Sequence, residues 1–136
     1  MILLPPELRF ALRANAINHR AALRDDKPEP DPVPVLKLFN PLGAATWLAT
    51  ELDGDDDTLF GLADLGFGCP ELGYFCLSEI GSLRLAFGLR VERHPGFETS
   101  FPLSIWADAA RRTGSILSAE ALLRSIAADE LPPKGG

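Results

Sequence analysis

The chain is poor in the residues that build metal centres and covalent frameworks: among 136 residues there are two cysteines, two histidines, one methionine and one tyrosine. Six residues separate Cys69 from Cys76, and His19 and His94 lie far apart, so neither a disulfide scaffold nor a zinc-finger spacing exists. Both cysteines are read as reduced, buried thiols, and no cofactor is expected. No run approaches the ~18 apolar residues of a membrane span. The opening MILLPP has no basic segment before its apolar residues and is not read as a signal peptide, so a cytoplasmic protein without a membrane partner is expected. Thirteen Lys and Arg against nineteen Asp and Glu leave a net charge of −6, which excludes a molecule-wide attraction to DNA or anionic lipid. There is no GxSxG elbow, no Walker loop and no HExxH, and GFG (66–68) lacks the strand-to-helix setting of a dinucleotide fingerprint.

What is present is an ordinary globular balance, 46% apolar and 24% charged, in a chain of one-domain length. Residues 1–136 are therefore read as a single domain. Pro5, Pro6 and Glu7 suit a helix start, and a helix over 6–24 follows. At 100° per residue Leu8, Leu12, Ala16, His19 and Leu23 form its expected buried stripe. Arg9, Arg13, Arg20 and Arg24 fall within a ~60° arc beside it, the one basic strip in the chain. That strip is either a solvated flank paired with surplus acids or a contact for phosphates or an acidic partner.

DDKPEPDPVP (25–34) contains four prolines and five charges, which prevent both helix and central strand; a linker over 25–32 is expected. The sheet core is placed at 33–94. Strands are read at 33–39, 44–52, 58–66 and 72–77, joined by NPLG, DGDDD and the glycine-rich GFGCP stretch, with an edge strand at 89–94. In the second strand Thr46, Leu48, Thr50 and Leu52 are expected on one face, and Trp47 and Glu51 on the other. Ser78 is expected to cap a helix over 79–86. Helices at 103–113 and 119–128, the last capped by Ser118, complete the C-terminal region 102–128, and LPPKGG is read as a frayed end. The predicted architecture is α+β: a four- to five-stranded antiparallel meander with N- and C-terminal helices packed on one face.

Three chemistries are open. Asp53, Asp55 and Asp57 have the spacing that begins a calcium loop, but Thr58 stands where its glycine belongs, so a polar turn is preferred and no metal site is assigned. Glu51, Asp64 and Glu71 lie at strand ends and turns, where they either converge to hold magnesium beside Lys37 or, for Asp64 and Glu71, accept hydrogen bonds from the glycine-rich turn. Trp47 and Tyr74 are core aromatics or anchors of a binding patch.

KLFNP (37–41), TWLATELD (46–53), FGLADLGFGCPELGY (60–74) and CLSEI (76–80) together resemble the uncharacterised domain family DUF2958. The resemblance implies an origin on plasmids, conjugative elements or phages, and carries over no reaction. The expected function is that of a non-enzymatic accessory protein binding a macromolecule, with protein favoured over nucleic acid as partner. An acidic antirestriction inhibitor mimicking nucleic acid and a metal-dependent hydrolase using Glu51, Asp64 and Glu71 are the alternatives.

Overall fold

The computed structural model describes residues 2–130, and LPPKGG lies outside them. Helix α1 (Pro6–Arg24) leads into an antiparallel sheet of β1 (Leu36–Phe39), β2 (Thr46–Leu52), β3 (Thr58–Asp64) and β4 (Glu71–Cys76). Helix α2 (Leu77–Ser82), a single 3₁₀ turn at Ala86–Gly88 and β5 (Glu92–Arg93) follow. Helices α3 (Leu103–Thr113) and α4 (Ile116–Glu130) close the chain. The strand order is β4-β3-β2-β1-β5, so β1 to β4 form the expected meander and β5 returns to pair with β1. The protein is thus α+β.

Side-chain alternation divides the core in two. Leu48 and Leu62, paired across β2 and β3, join Leu103, Trp106, Ala110, Ile116 and Leu123 on the face covered by α3 and α4. Leu36, Leu38, Trp47, Ala49 and Leu59 point the other way and gather with Leu12 of α1, Ile80 of α2 and Val91. Helices packed on one face, as the sequence suggests, do not describe this arrangement: both faces are covered. An antiparallel sheet whose strands are buried on two sides shows this near-continuous apolar pattern, as the burial of Thr46 through Thr50 does here.

The position of α1 has a specific cause. Pairing of β1 with β2 reaches only Leu36 opposite Ala49, closed by Val35 N–H donating to Ala49 O at 3.0 Å. Beyond it, β2 bulges: Ala49 pairs with Gly61 and Glu51 with Phe60, which leaves Thr50 without a partner residue. The carbonyls of Thr50 and Leu52 then face α1, which supplies the missing donors: Asn15 Nδ2 at 2.9 Å and Arg13 Nη1 at 2.8 Å. A helix therefore stands in for the strand that β1 does not extend to form, and buried carbonyls stay satisfied. The bulge also overturns the expected facing: Glu51 shares a face with Leu48, and Leu52 joins Trp47 in the other cluster.

Several limits shift for identifiable reasons. Helix α4 begins at Ile116 rather than 119 because Ser115, not Ser118, caps it, its Oγ accepting from Ser118 N–H at 3.0 Å. The fifth strand shrinks to two residues. Helix α2 starts at Leu77 and stops at Ser82, with Ser78 in its first turn and not before it. The 25–34 segment is extended but strapped down: Pro32 O accepts from Leu103 N–H at 3.0 Å, and Asp31 accepts from Ser104 N–H at 3.1 Å and from its hydroxyl. In the expected α1 stripe, Leu12 and Ala16 are buried, Leu8 and His19 are half-buried, and Leu23 is exposed. The thiols are free, but Cys69 is exposed and Cys76 half-buried, because the turn holding Cys69 projects beyond the sheet.

Gly61 sits where the bulged strand crowds its neighbour, and a Cβ there would lie 1.8 Å from Leu48 O and 2.8 Å from Ala49 Cα. Relief requires two strand backbones to separate. Gly61→Ala is expected to cost about 3 kcal/mol or more in urea unfolding, whereas Gly73→Ala, with open space at its Cβ, loses far less; equal losses would contradict the close approach.

Candidate functional site

The sequence candidates separate into different environments. Asp64 is fully buried, and both oxygens are engaged: Oδ1 accepts from Gly66 N–H and Oδ2 from Ile116 N–H, each at 2.9 Å. One carboxylate thus shapes the glycine-rich turn and meets the first amide of α4, where the helix dipole favours negative charge. Glu51 pairs with Phe60, and Asp64 stands four residues further along β3, about 13 Å away at strand rise. Glu71 pairs with Ala63, so it projects from the face opposite Asp64 and is exposed. The three carboxylates do not converge, and no cluster of three or more His, Cys, Asp or Glu able to hold a metal occurs among the described residues.

Lys37 is not near Glu51 either. Its ammonium is buried against α4, donating to Glu120 Oε2 at 2.7 Å and lying 5.9 Å from the Phe97 ring centre. Glu120 Oε1 also accepts from Arg124 at 2.9 Å. This pair locks α4 over β1, and removing Glu120 would strand a buried cation at a cost of several kcal/mol. Trp47 is core. Tyr74 is 71% exposed and rests on Phe60, ring centres 5.1 Å apart.

The arginine strip is spent locally. Arg9 reaches Asp56 at 2.8 Å, Arg20 lies 4.0 Å from Asp53, Arg24 pairs with Asp25 at 3.2 Å, and Arg13 is bound to Leu52 O. The β2–β3 turn is therefore held by α1. Asp55 folds the same turn, accepting from the Thr58 hydroxyl at 2.6 Å and from the Thr58 and Asp57 amides, which pulls its carboxyl down to about 2. Asp57 accepts from Ser78 N–H at 2.8 Å and its hydroxyl at 2.7 Å. The Asp55 and Asp57 carboxylates are thus occupied in shaping a turn and capping α2, while the Asp53 carboxylate faces Arg20.

Sequence candidates do meet in one cleft of about 440 Å³ beside α1, lined by His19, Arg20, Glu51, Asp53, Thr58 and Tyr74. Its ionisable groups face one another more than the cavity. His19 Nδ1 lies 3.0 Å from Glu51 Oε2, and Nε2 lies 3.3 Å from Glu29 Oε1. Carboxylates at both ring nitrogens can both be satisfied only by the imidazolium, which donates twice. Burial pulls the His19 pKa down, but the hydrogen bonds and charges of Glu29 and Glu51 together outweigh it and raise it. Burial, with Glu79, Asp57 and Asp55 nearby, pushes the Cys76 thiol up, away from the thiolate a nucleophile needs. A second cleft of about 340 Å³ between the 94–101 loop and α4 is lined by His94, Phe97, Trp106 and Glu120. There the Trp106 Nε1–H donates to Thr99 Oγ1 at 3.2 Å.

A group of exposed apolar side chains lies elsewhere, at one end of the sheet, and sequence reasoning missed it. Phe67 sits between Gly66 and Gly68, both in the left-handed region (φ 91° and 84°), and is 82% exposed. Leu65, Leu42 of the β1–β2 turn and Leu117 at the start of α4 are exposed at the same end of the sheet. Their nearness is fixed by Asp64, which bonds Gly66 and Ile116, and by Gly66, whose Cβ position lies 3.6 Å from Ala44 Cβ. Residues 40–45, 65–70 and 114–119 include no charged side chain. The signal was available: an aromatic between two glycines at a turn tip has no wall to pack against.

Fold and site together define an α+β protein in which Glu51, Asp55, Asp57, Asp64 and Glu120 are engaged within the chain and an uncharged apolar end is exposed. The chain belongs to the DUF2958 family of proteins of unknown function, whose model matches residues 3–117. The match covers most of the chain and ends just inside α4. Comparison with curated proteins and with solved structures returned no match. No helix among the described residues is long and apolar enough to cross a membrane.

The His19 pairing sets a pH dependence. With its folded pKa above the ordinary 6.5, the contribution is fully present below about pH 6.5 and fades as pH rises through the folded value. The difference in unfolding free energy between wild type and His19→Gln should be largest near pH 6 and shrink toward pH 8. A difference independent of pH would show that the imidazole is not charged between the two glutamates.

Proposed function

We propose that the protein acts as a non-enzymatic interaction module that binds a partner protein through the apolar end of its sheet. The observation that carries this reading is the grouping of Leu42, Leu65, Phe67 and Leu117 on three segments without charge. Exposed apolar groups collected in one place mark an interaction site, whereas scattered ones need no explanation. Phe67 has the character of an anchor, because its large apolar area is presented on a turn shaped by Asp64 rather than on a floppy loop. A protein partner fits better than nucleic acid: the net charge is −6, Arg9, Arg20 and Arg24 of α1 are paired with acids of the same chain and Arg13 with a carbonyl, and the patch has no cation to meet phosphates. The setting implied by the family resemblance, an accessory role on a plasmid, conjugative element or phage within the cytoplasm, belongs to the same proposal. The geometry gives the hydrolase alternative no convergent carboxylates, and the acids an inhibitor would display are partly used as caps and turn braces.

The reading is tested by capturing partners from the native host on immobilised wild type and on Phe67→Asp, with circular dichroism and thermal melts as fold controls. A protein retained by wild type and lost, at least tenfold, on the folded variant is expected. Identical sets on both would refute the assigned surface.

A further inference from the structure

Each exposed sheet boundary but one is protected. Strand β5, at one edge, is two residues long and both are charged, Glu92 and Arg93. The unpaired half of β2 is covered by α1 through Asn15 and Arg13. Strand β4 is the other edge: six residues, paired with β3 on one side and, among the described residues, with no strand on the other. Its sequence ELGYFC has neither the lysine nor the proline with which proteins usually discourage edge pairing, and after Glu71 it is uncharged. Leu72 and Tyr74 are exposed on one face of it, and Tyr74 extends the ring contact with Phe60 outward.

We propose that β4 pairs with β4 of a second copy of this chain, antiparallel about a two-fold axis, to give a continuous ten-stranded sheet. This inference is independent of the partner proposed above. Three features select a second copy as the occupant. A two-fold axis perpendicular to the sheet keeps like faces together, so Leu72 and Tyr74 of both copies form one apolar strip across the junction. An antiparallel arrangement carries the acidic β2–β3 turns, Asp53 to Asp57, to opposite ends of the joined strands, where chains of net charge −6 repel least. The uncharged run Leu72 to Cys76 brings no like charges face to face over its ~17 Å of backbone.

Multi-angle light scattering on the full chain tests this at about 100 µM, well above a micromolar dissociation constant. Wild type should elute at twice 14.7 kDa, and the exposed-site variants Leu72→Lys and Tyr74→Lys at the monomer mass, with wild-type circular dichroism. Phe67→Asp, at the sheet end, should stay dimeric, which separates this test from the partner test. A monomeric wild type overturns the proposal, and so does a dimer that survives both lysine substitutions.

Discussion

The carboxylate of Asp64 is the contact on which the rest of the structure depends. Buried at the end of β3, it binds the amide of Gly66 in the turn leading to β4 and the amide of Ile116 that opens α4. Two elements far apart in the chain are thereby seated on one strand end. The principle recurs: α2 and α3 start after Cys76 and Pro102, neither of which caps its helix by a side chain, and their first-turn amides are met instead by Asp57 and Asp31. A cap is worth about 1 kcal/mol, and when it comes from elsewhere in the fold the helix holds only once the tertiary structure is in place. The aspartates of this chain thus couple secondary to tertiary structure.

This use of acids also explains which surfaces are left for function. Arg9 and Arg20 of α1 are drawn to the β2–β3 turn, Lys37 to Glu120 and His19 to Glu29 and Glu51. Two apolar features are left exposed: the end of the sheet around Phe67 and the open edge at β4. Both are products of the same stretch, GFGCPELGYF. Its glycines project Phe67, Asp64 holds the turn that does so, and its second half is the unguarded strand.

Much of the fold was legible because it rests on local chemistry. The prolines and Glu7 mark α1 to within its observed limits, and alternation and turn residues place four strands in meander order. The role of Asp64 in shaping the glycine turn also follows from residue type and spacing. The rest depends on contacts remote in sequence. The bulge at Thr50, which moves Glu51 away from Trp47, follows from where β1 ends and α1 docks, and no two-residue alternation can show it. Packing of helices on both faces was hidden because Leu48 and Ala49 are both apolar, so the pattern names no outward side. For the early start of α4, Ser115 offered a local cap no different in kind from Ser118, and what favours it, the Ile116 amide bound by a strand 52 residues earlier, does not show in local sequence. Of the candidate site, Glu51, Tyr74 and Arg20 meet in one cleft, while Asp64, Lys37 and Trp47 serve the interior.

The most direct measurement is urea unfolding of Asp64→Ala and Asp64→Asn beside wild type. If the carboxylate organises the fold, Asp64→Ala strands the buried Ile116 amide, frees the Gly66 turn amide and loses about 3 kcal/mol, while Asp64→Asn, retaining one acceptor, loses less. Wild-type stability in both variants, within about 0.5 kcal/mol, would contradict the account and return Asp64 to the residues available for chemistry.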